Sequence, residues 1–383
     1  MPQARVLFVS HSAAISGAEM VLLDLISACS DPGAFLFVES ALSEALAKRG
    51  ATVFHSRFGS SLQSIKRDNG LEAAVPLAAR MAAIAGELTL LARRYDIVYA
   101  NSQKAFVLAA IAAWTANRPL IWHLHDIISS SHFGAGQRRL QVSLANRFAR
   151  LVVAPSHAVS SAFIAEGGRP ELTCVVPNGV GIEMAHVGVD ERSELGLPGG
   201  PLVGVFSRLA PWKGQHVVLR AVARLRNVGC IVVGSPLFGE QAYESSLRKL
   251  VAELDMRDRV LFLGQRCDVP RLMRAVDIVI HPSVVPEPFG RTLIEAMLVG
   301  RPVIATDAGA STEILACGSA GTLVPAGSDQ ALADAIVGGL SGGAAREDQI
   351  SQARRRALTL YNVEAMRSVI ADNIQRVSRE ACP

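Results

Sequence analysis

The chain is poor in aromatic residues, 5% of its 383 positions, and nearly balanced in charge, with 38 Lys and Arg against 34 Asp and Glu. So few stacking platforms and a net charge of only +4 argue against nucleic-acid binding, which needs a concentrated basic surface and exposed rings. The mild basic tilt stays compatible with anionic substrates or a lipid surface. Cysteine is scarce as well: six residues, at positions 29, 174, 230, 267, 317 and 382, form no Cys-x-x-Cys pair and no metal-ligand spacing. They read as reduced thiols of a cytoplasmic protein. Apolar runs are broken by charges or turn residues well before the length of a membrane-spanning helix. The first residues, MPQARVLFVSHS, enter a strand pattern without the charged head, apolar stretch and cleavage site of a secretory leader. No strand is followed by Gly-x-Gly-x-x-Gly, which disfavours a nicotinamide or flavin site, and no Asp-x-Asp motif is present to hold a divalent metal on a diphosphate.

What is abundant is apolar sequence, at 50%, arranged as short Val- and Ile-rich runs that alternate with longer amphipathic segments. That alternation is the mark of strand-helix units around parallel sheets. RVLFVS, FLFVE, TVFHS, DIVYANS, PLIWHLHD, LVVAPS and TCVVPN read as strands of a first half. The pattern restarts with LVGVFSR, CIVVGS, RVLFLG, DIVIHPS, PVIATD and GTLVPA. Between them, residues 181–200 are polar and glycine-rich and read as a linker. The expected organisation is α/β: two Rossmann-like, doubly wound domains, 1–180 and 201–361, facing each other across a cleft, with a terminal helix over 362–383 carrying Val363, Met366, Ile370 and Ile374 on one side.

The most informative segment is PEPFGRTLIEAMLVG, from Pro286 to Gly300. Glu287 and Glu295 lie on either side of a Phe-Gly turn, Phe289-Gly290, that opens a helix. Eight residues of helix would separate two carboxylates by about 12 Å, too far for an acid/base pair on one bond and suited to opposite ends of one long ligand. The N–H groups of Gly290, Arg291 and Thr292 at the helix start favour an anion, so a diphosphate fits there. Arg208 and Lys213, in GVFSRLAPWKGQH, follow the first strand of the second half, where strand carboxyl ends line the ligand crevice of such sheets. A planar fork and a point charge together suit a leaving group that gains negative charge.

Other candidates are Gly17 in SHSAAISGAE, where the backbone can approach phosphate, and His125 at a strand tip in IWHLHDI. His123, on the same face, reads as a structural histidine. Gly264 and Arg266 follow RVLFLG, and Asn101 and Ser102 end YANS as a second tip or as helix caps. Gly179 in VVPNGV reads as a turn glycine needing positive φ. Arg354, Arg355 and Arg356 read as a solvated basic face. The helix with Arg138, Arg139, Arg147 and Arg150 reads either as an ordinary exposed helix or as a peripheral contact with anionic lipid.

These pieces resemble the retaining glycosyltransferases of the GT-B fold, the glycogen synthase-like and mannosyltransferase group (glycosyltransferase family 4, group 1), over nearly the whole chain. The resemblance rests on the Gly17 loop, His125 with Asp126, Arg208 with Lys213, and Glu287 with Glu295, in that order along the sequence. It is partial at Ser16, where the family often has a second glycine. The resemblance implies a metal-independent hexosyltransferase without a cofactor, its donor a UDP- or GDP-sugar. Its acceptor would be a glycan, a lipid-linked or a small-molecule hydroxyl, in cell-surface polysaccharide or glycolipid synthesis. It further implies that Arg208 and Lys213 bind the donor phosphates, that Glu287 lies by the donor sugar and Glu295 binds the ribose, that His125 approaches the reacting centre, and that the Gly264-Arg266 loop lies by the base. Two other readings stay open: a sugar-nucleotide epimerase of the same fold, and a silent nucleotide-sugar binding subunit. Acceptor selectivity is expected in loops such as 59–70 and 127–137.

Overall fold

The computed structural model describes residues 4–59, 71–130, 133–183, 192–193, 196–197, 199–237 and 239–381. Most of the 59–70 loop, Ser131 and His132 of the 127–137 loop, and much of the 181–200 segment lie outside the described residues. The chain divides into two compact units, Met1–Pro177 with Glu364–Pro383, and Asn178–Val363.

Every strand expected from the sequence forms. The first unit holds β1 (Val6–Ser10), β2 (Gly33–Leu36), β3 (Thr52–His55), β4 (Ile97–Ala100), β5 (Leu120–His123), β6 (Ala149–Ala154) and β7 (Thr173–Val175), in one parallel sheet of order β3-β2-β1-β4-β5-β6-β7. The second unit holds β8 (Leu202–Phe206), β9 (Gly229–Val233), β10 (Val260–Gly264), β11 (Ile278–His281), β12 (Val303–Thr306) and β13 (Thr322–Val324), in the order β10-β9-β8-β11-β12-β13. In each sheet the strand order reverses beside the first strand, at β1/β4 and at β8/β11. That reversal opens a crevice at the strand carboxyl ends.

Burial of both faces explains the unbroken apolar runs. In β8, Leu202 and Phe206 join the core on one side, while Val203 and Val205 join the core on the other. In the first unit Trp122 on β5 stacks on Phe106, centroids 4.0 Å apart and 10° from parallel. The terminal helix, Val363–Ala381, buries Met366, Ile370, Ile374 and Val377, and Arg367 donates to the Asp24 carbonyl at 2.7 Å within the first unit. Among the described residues no helix is long and apolar enough to cross a membrane.

Two local expectations fail. Arg356 does not belong to a solvated face: its guanidinium donates to the carbonyls of Ile314 and Glu313 at 3.0 and 2.9 Å, because the end of a short helix leaves those carbonyls without partners. Gly179 has no positive φ. It is needed for close approach instead, since a Cβ there would sit 2.4 Å from Val363 Cα.

Candidate functional site

Ten of the twelve candidate residues lie in the second unit, beyond the carboxyl ends of its strands. Two segments flank the β8/β11 reversal. After β8, the chain runs through Arg208 into a short 3-10 turn, Pro211–Lys213, closed by Gly214 at φ +72°. A Cβ on Gly214 would strike the Pro282 carbonyl, so only glycine lets this loop lie against the one after β11. The Val284 amide donates to the Trp212 carbonyl at 2.9 Å and ties the two loops together.

That junction brings Lys213 to Glu287. Lys213 Nζ donates to Glu287 Oε1 at 2.7 Å, and the glutamate is 5% exposed. The Ser283 hydroxyl donates to the same oxygen, and His281 Nε2 lies 3.0 Å from it. Burial alone would raise the Glu287 carboxyl; His281 and Lys213 outweigh it and hold the group well below the usual carboxylate range. Glu287 is therefore a fixed anion at neutral pH and not a proton donor. Its backbone is pinned too: the Ala310 amide donates to the Glu287 carbonyl at 3.0 Å, and Gly309, at φ +62°, leaves no room for a Cβ against that peptide.

Gly290 caps the helix Arg291–Leu298 in the left-handed region, φ +90°, as a turn from loop to helix start requires. Thr292 Oγ1 meets His281 Nδ1 at 3.0 Å. Glu295 sits in the next turn, Oε1 3.9 Å from Arg291 Nε. Burial raises its carboxyl and Arg291 only partly opposes this, so Glu295 is the more easily protonated of the two glutamates. Arg291 also donates to the Gly179 carbonyl at 2.8 Å. Phe289 is in the core, its ring edge-on to Tyr361 at 6.0 Å, which commits the side chain to packing and leaves only its backbone for a ligand.

Trp212 lies between the two cations, with Lys213 Nζ 4.4 Å and Arg208 Cζ 5.2 Å from its ring. Arg208 reaches Glu240 only at 4.0 Å, a long and weak pairing. Gly264 ends β10 at φ +64°, and Arg266 beyond it is held by both oxygens of Asp268 at 2.8 and 2.7 Å.

Gly17 and His125 belong to the first unit. Gly17 is the exposed first residue of the helix Gly17–Ile26, and Glu19 folds back to accept from the Ser16 amide at 3.1 Å. His125 lies two residues past β5, stacked on His123 at 3.9 Å, with Nε2 3.0 Å from Asn101 Oδ1. Burial lowers His125 to about 3, so it is a neutral hydrogen-bonding group. His123 is fully buried against the Tyr99 hydroxyl, 2.9 Å from Nδ1. Ser102 caps the helix Gln103–Ala116 and also meets His11 Nδ1 at 2.7 Å.

Sequence reasoning missed His281, Ser283, Trp212 and Gly309. His281 had a signal, a polar residue ending an otherwise apolar strand, and Trp212 is one of only three tryptophans, placed between two cations. Gly309 had none, since its role depends on a loop contact with Glu287, distant in sequence, and Ser283, only four residues before Glu287, carried no signal of its own.

Residues 190–356 match the family model described as glycosyl transferases group 1, and residues 16–179 match the glycosyl transferase 4-like domain. The crystal structure of Anabaena HepE in complex with UDP-glucose is 37% identical in sequence and has a TM-score of 0.86, the match covering 97% of this chain and 100% of that one. Lipopolysaccharide core biosynthesis mannosyltransferase LpsB of Rhizobium meliloti is 34% identical over 189 residues, 45% of this chain and 54% of that protein. D-inositol 3-phosphate glycosyltransferase of Mycobacterium marinum is 38% identical over 157 residues, 37% of this chain and 34% of that protein. The chain thus spans between a third and about half of the length of these two curated relatives.

Proposed function

Because the chain belongs to the group 1 glycosyltransferases of the GT-B fold, we propose that it transfers a hexose, with retained anomeric configuration, from a UDP-sugar to an acceptor hydroxyl. The observation that carries this reading is the buried Lys213–Glu287 contact at the β8/β11 reversal, joined by His281 and Ser283. A buried, fixed anion cannot deliver a proton, but it can hold sugar hydroxyls in place. Lys213 keeps two of its three N–H donors for phosphate oxygens, and Arg208 supplies a fork beside it.

In this reading Arg208, Lys213 and the first-turn amides of Gly290, Arg291 and Thr292 stabilise the departing diphosphate, taking the place of a divalent metal. Glu287 orients the donor sugar, Glu295 accepts from the ribose hydroxyls, and the Gly264-Arg266 loop lies by the base. The family resemblance further implies roles for His125 and for the backbone at Gly17. The acceptor hydroxyl loses its proton to the leaving phosphate as the new glycosidic bond forms. UDP is favoured over GDP because HepE, 37% identical over 97% of this chain, was solved with UDP, with UDP-glucose, and with UDP and glucose.

A lipid-linked acceptor is supported by the first unit's surface. Trp114 is 66% exposed, its ring 6.0 Å from Phe148. Between Ile97 and Glu166 the sequence carries Lys104, Arg118, Arg138, Arg139, Arg147 and Arg150 against Asp126 and Glu166, the latter paired with Arg138 at 2.8 Å. Such a positive excess suits anionic lipid.

Calorimetric titration without metal, using UDP, GDP and their sugar conjugates on wild type, Arg208→Ala and Glu295→Ala, tests the donor site. UDP binding weakened by both substitutions supports it, and tighter binding of GDP would reverse the choice of base. An acceptor-dependent product separates transfer from epimerisation, which would convert the donor alone.

A further inference from the structure

Four arginines converge on the segment Arg274–Asp277, at the amino ends of β8, β11 and β12. Arg274 donates to the Val299 carbonyl at 2.7 Å, and Arg301 donates to the Arg274 carbonyl. Arg192 donates to the Ala275 carbonyl at 2.7 Å and pairs with Asp277 at 2.8 Å, and Arg346 donates to the Asp277 carbonyl at 3.1 Å. Helix ends account for part of this gathering, because the last carbonyls of Val269–Ala275 and Arg291–Leu298 attract cations.

They do not account for the charge. Asp277 is shared between Arg192 and the Leu202 amide, so among the described residues three guanidinium charges of the cluster have no carboxylate pairing. Among the described residues Arg274, Arg301 and Arg346 each make one hydrogen bond, although a guanidinium has five donors. The Nε atoms of all three are sealed from solvent without a hydrogen-bond partner. Unpartnered buried donors on charged groups are costly. Arg301 registers this directly: burial lowers it below the ordinary arginine value, Arg274, Arg192 and Arg346 add to the effect, and Asp277 offsets part.

We propose that Arg274, Arg301 and Arg346 form a second anion site, for a doubly charged tetrahedral oxyanion of the phosphate type. Three planar guanidinium forks match such an ion better than a halide, and its charge leaves the cluster near neutrality. The site is separate from the donor crevice. It lies at the amino ends of strands whose carboxyl ends carry Arg208 and His281, and strands of this length rise about 15 Å. The inference does not depend on the donor assigned above.

The test uses the full chain, with and without saturating UDP, titrated with inorganic phosphate against sodium chloride at matched ionic strength and followed by thermal melting and calorimetry. Wild type should be stabilised by phosphate beyond the chloride control in both conditions. Arg346→Gln should weaken that binding at least about tenfold and Arg346→Lys by less, both leaving UDP affinity unchanged. Phosphate no better than chloride together with no binding of phosphatidic-acid vesicles, or an effect that survives in Arg346→Gln, overturns the proposal. Phosphatidic-acid vesicles form a parallel arm: vesicle binding lost in Arg346→Gln, with free phosphate inert, keeps the site and assigns the oxyanion to a lipid headgroup.

Discussion

His281 bridges Thr292 and Glu287, with Nδ1 3.0 Å from the threonine hydroxyl and Nε2 3.0 Å from Glu287 Oε1. The last residue of a strand thereby links the first turn of the Arg291–Leu298 helix to the loop carboxylate. A proton on Nε2 faces the anion and leaves Nδ1 to accept from Thr292. Replacing His281 with Ala should remove one partner of a charged group, worth about 1.5–3 kcal/mol, or roughly ten- to a hundredfold in kcat if the carboxylate drifts. The Kd for UDP should stay within about threefold of wild type, since the histidine touches the sugar-side glutamate and not the phosphate clamp. Equal losses in kcat and in UDP affinity would place His281 elsewhere in the mechanism.

Lys213 and Glu287 should couple in a double-mutant cycle. Lys213→Ala strands a buried carboxylate and should cost about 3–5 kcal/mol of stability, by urea unfolding. Adding Glu287→Gln should return much of that stability while turnover stays lost. Additive effects would mean that the 2.7 Å contact is not maintained in solution.

Gly309→Ala tests the backbone support of the same glutamate. The new Cβ would fall 2.4 Å from the Glu287 carbonyl oxygen at a backbone φ of +62°. A loss of about 1–3 kcal/mol in stability is expected, with a fall in kcat from displacement of Glu287. Gly327→Ala, also at positive φ but with nothing within 4 Å, is the control and should lose stability without the kcat effect.

Three histidines of the first unit set an acid limit. Burial lowers His11 to about 4, with Lys104 adding to the shift, and lowers His125 to about 3; burial and then His125 push His123 well below its usual value. All three stay neutral in the folded chain and bind protons on unfolding below about pH 6.5. Their contribution is complete above that pH and is lost as pH falls, at up to about 1.4 kcal/mol per pH unit for each. Melting temperatures should be flat above about pH 6.5 and fall below it, less steeply in His11→Gln. A Tm that holds level to about pH 5 would show that these rings are protonated in the folded chain.

Trp114 tests the lipid contact proposed for the first unit's surface. Wild type should co-sediment with phosphatidylglycerol vesicles and not with neutral ones, salt should weaken the binding, and Trp114→Ala should weaken it by roughly tenfold. Retention of full binding in Trp114→Ala and Arg147→Ala would exclude this face.

Much of the architecture was legible because buried parallel strands leave an unmistakable trace: short Val/Ile runs, one per strand-helix unit. The candidate site was legible where one local segment carries it, as in Glu287 through Glu295. It was not legible where it depends on loop against loop. Nothing near Lys213 announces its contact with a glutamate 74 residues away, and nothing in Gly309 announces that it abuts Glu287. Arg356 and Gly179 were misread for the same reason, each having its partner on another element.

The sequence by itself determined the fold class, the order of strands and helices, and the residue types at the crevice, because apolar periodicity and turn chemistry act over a few residues. Tertiary structure alone decided that Glu287 is held well below the usual carboxylate range while Glu295 is raised from its ordinary value. The two carboxylates are chemically identical and lie eight residues apart. Their proton affinities differ because one is buried against Lys213 and His281, and the other is buried with Arg291 3.9 Å away.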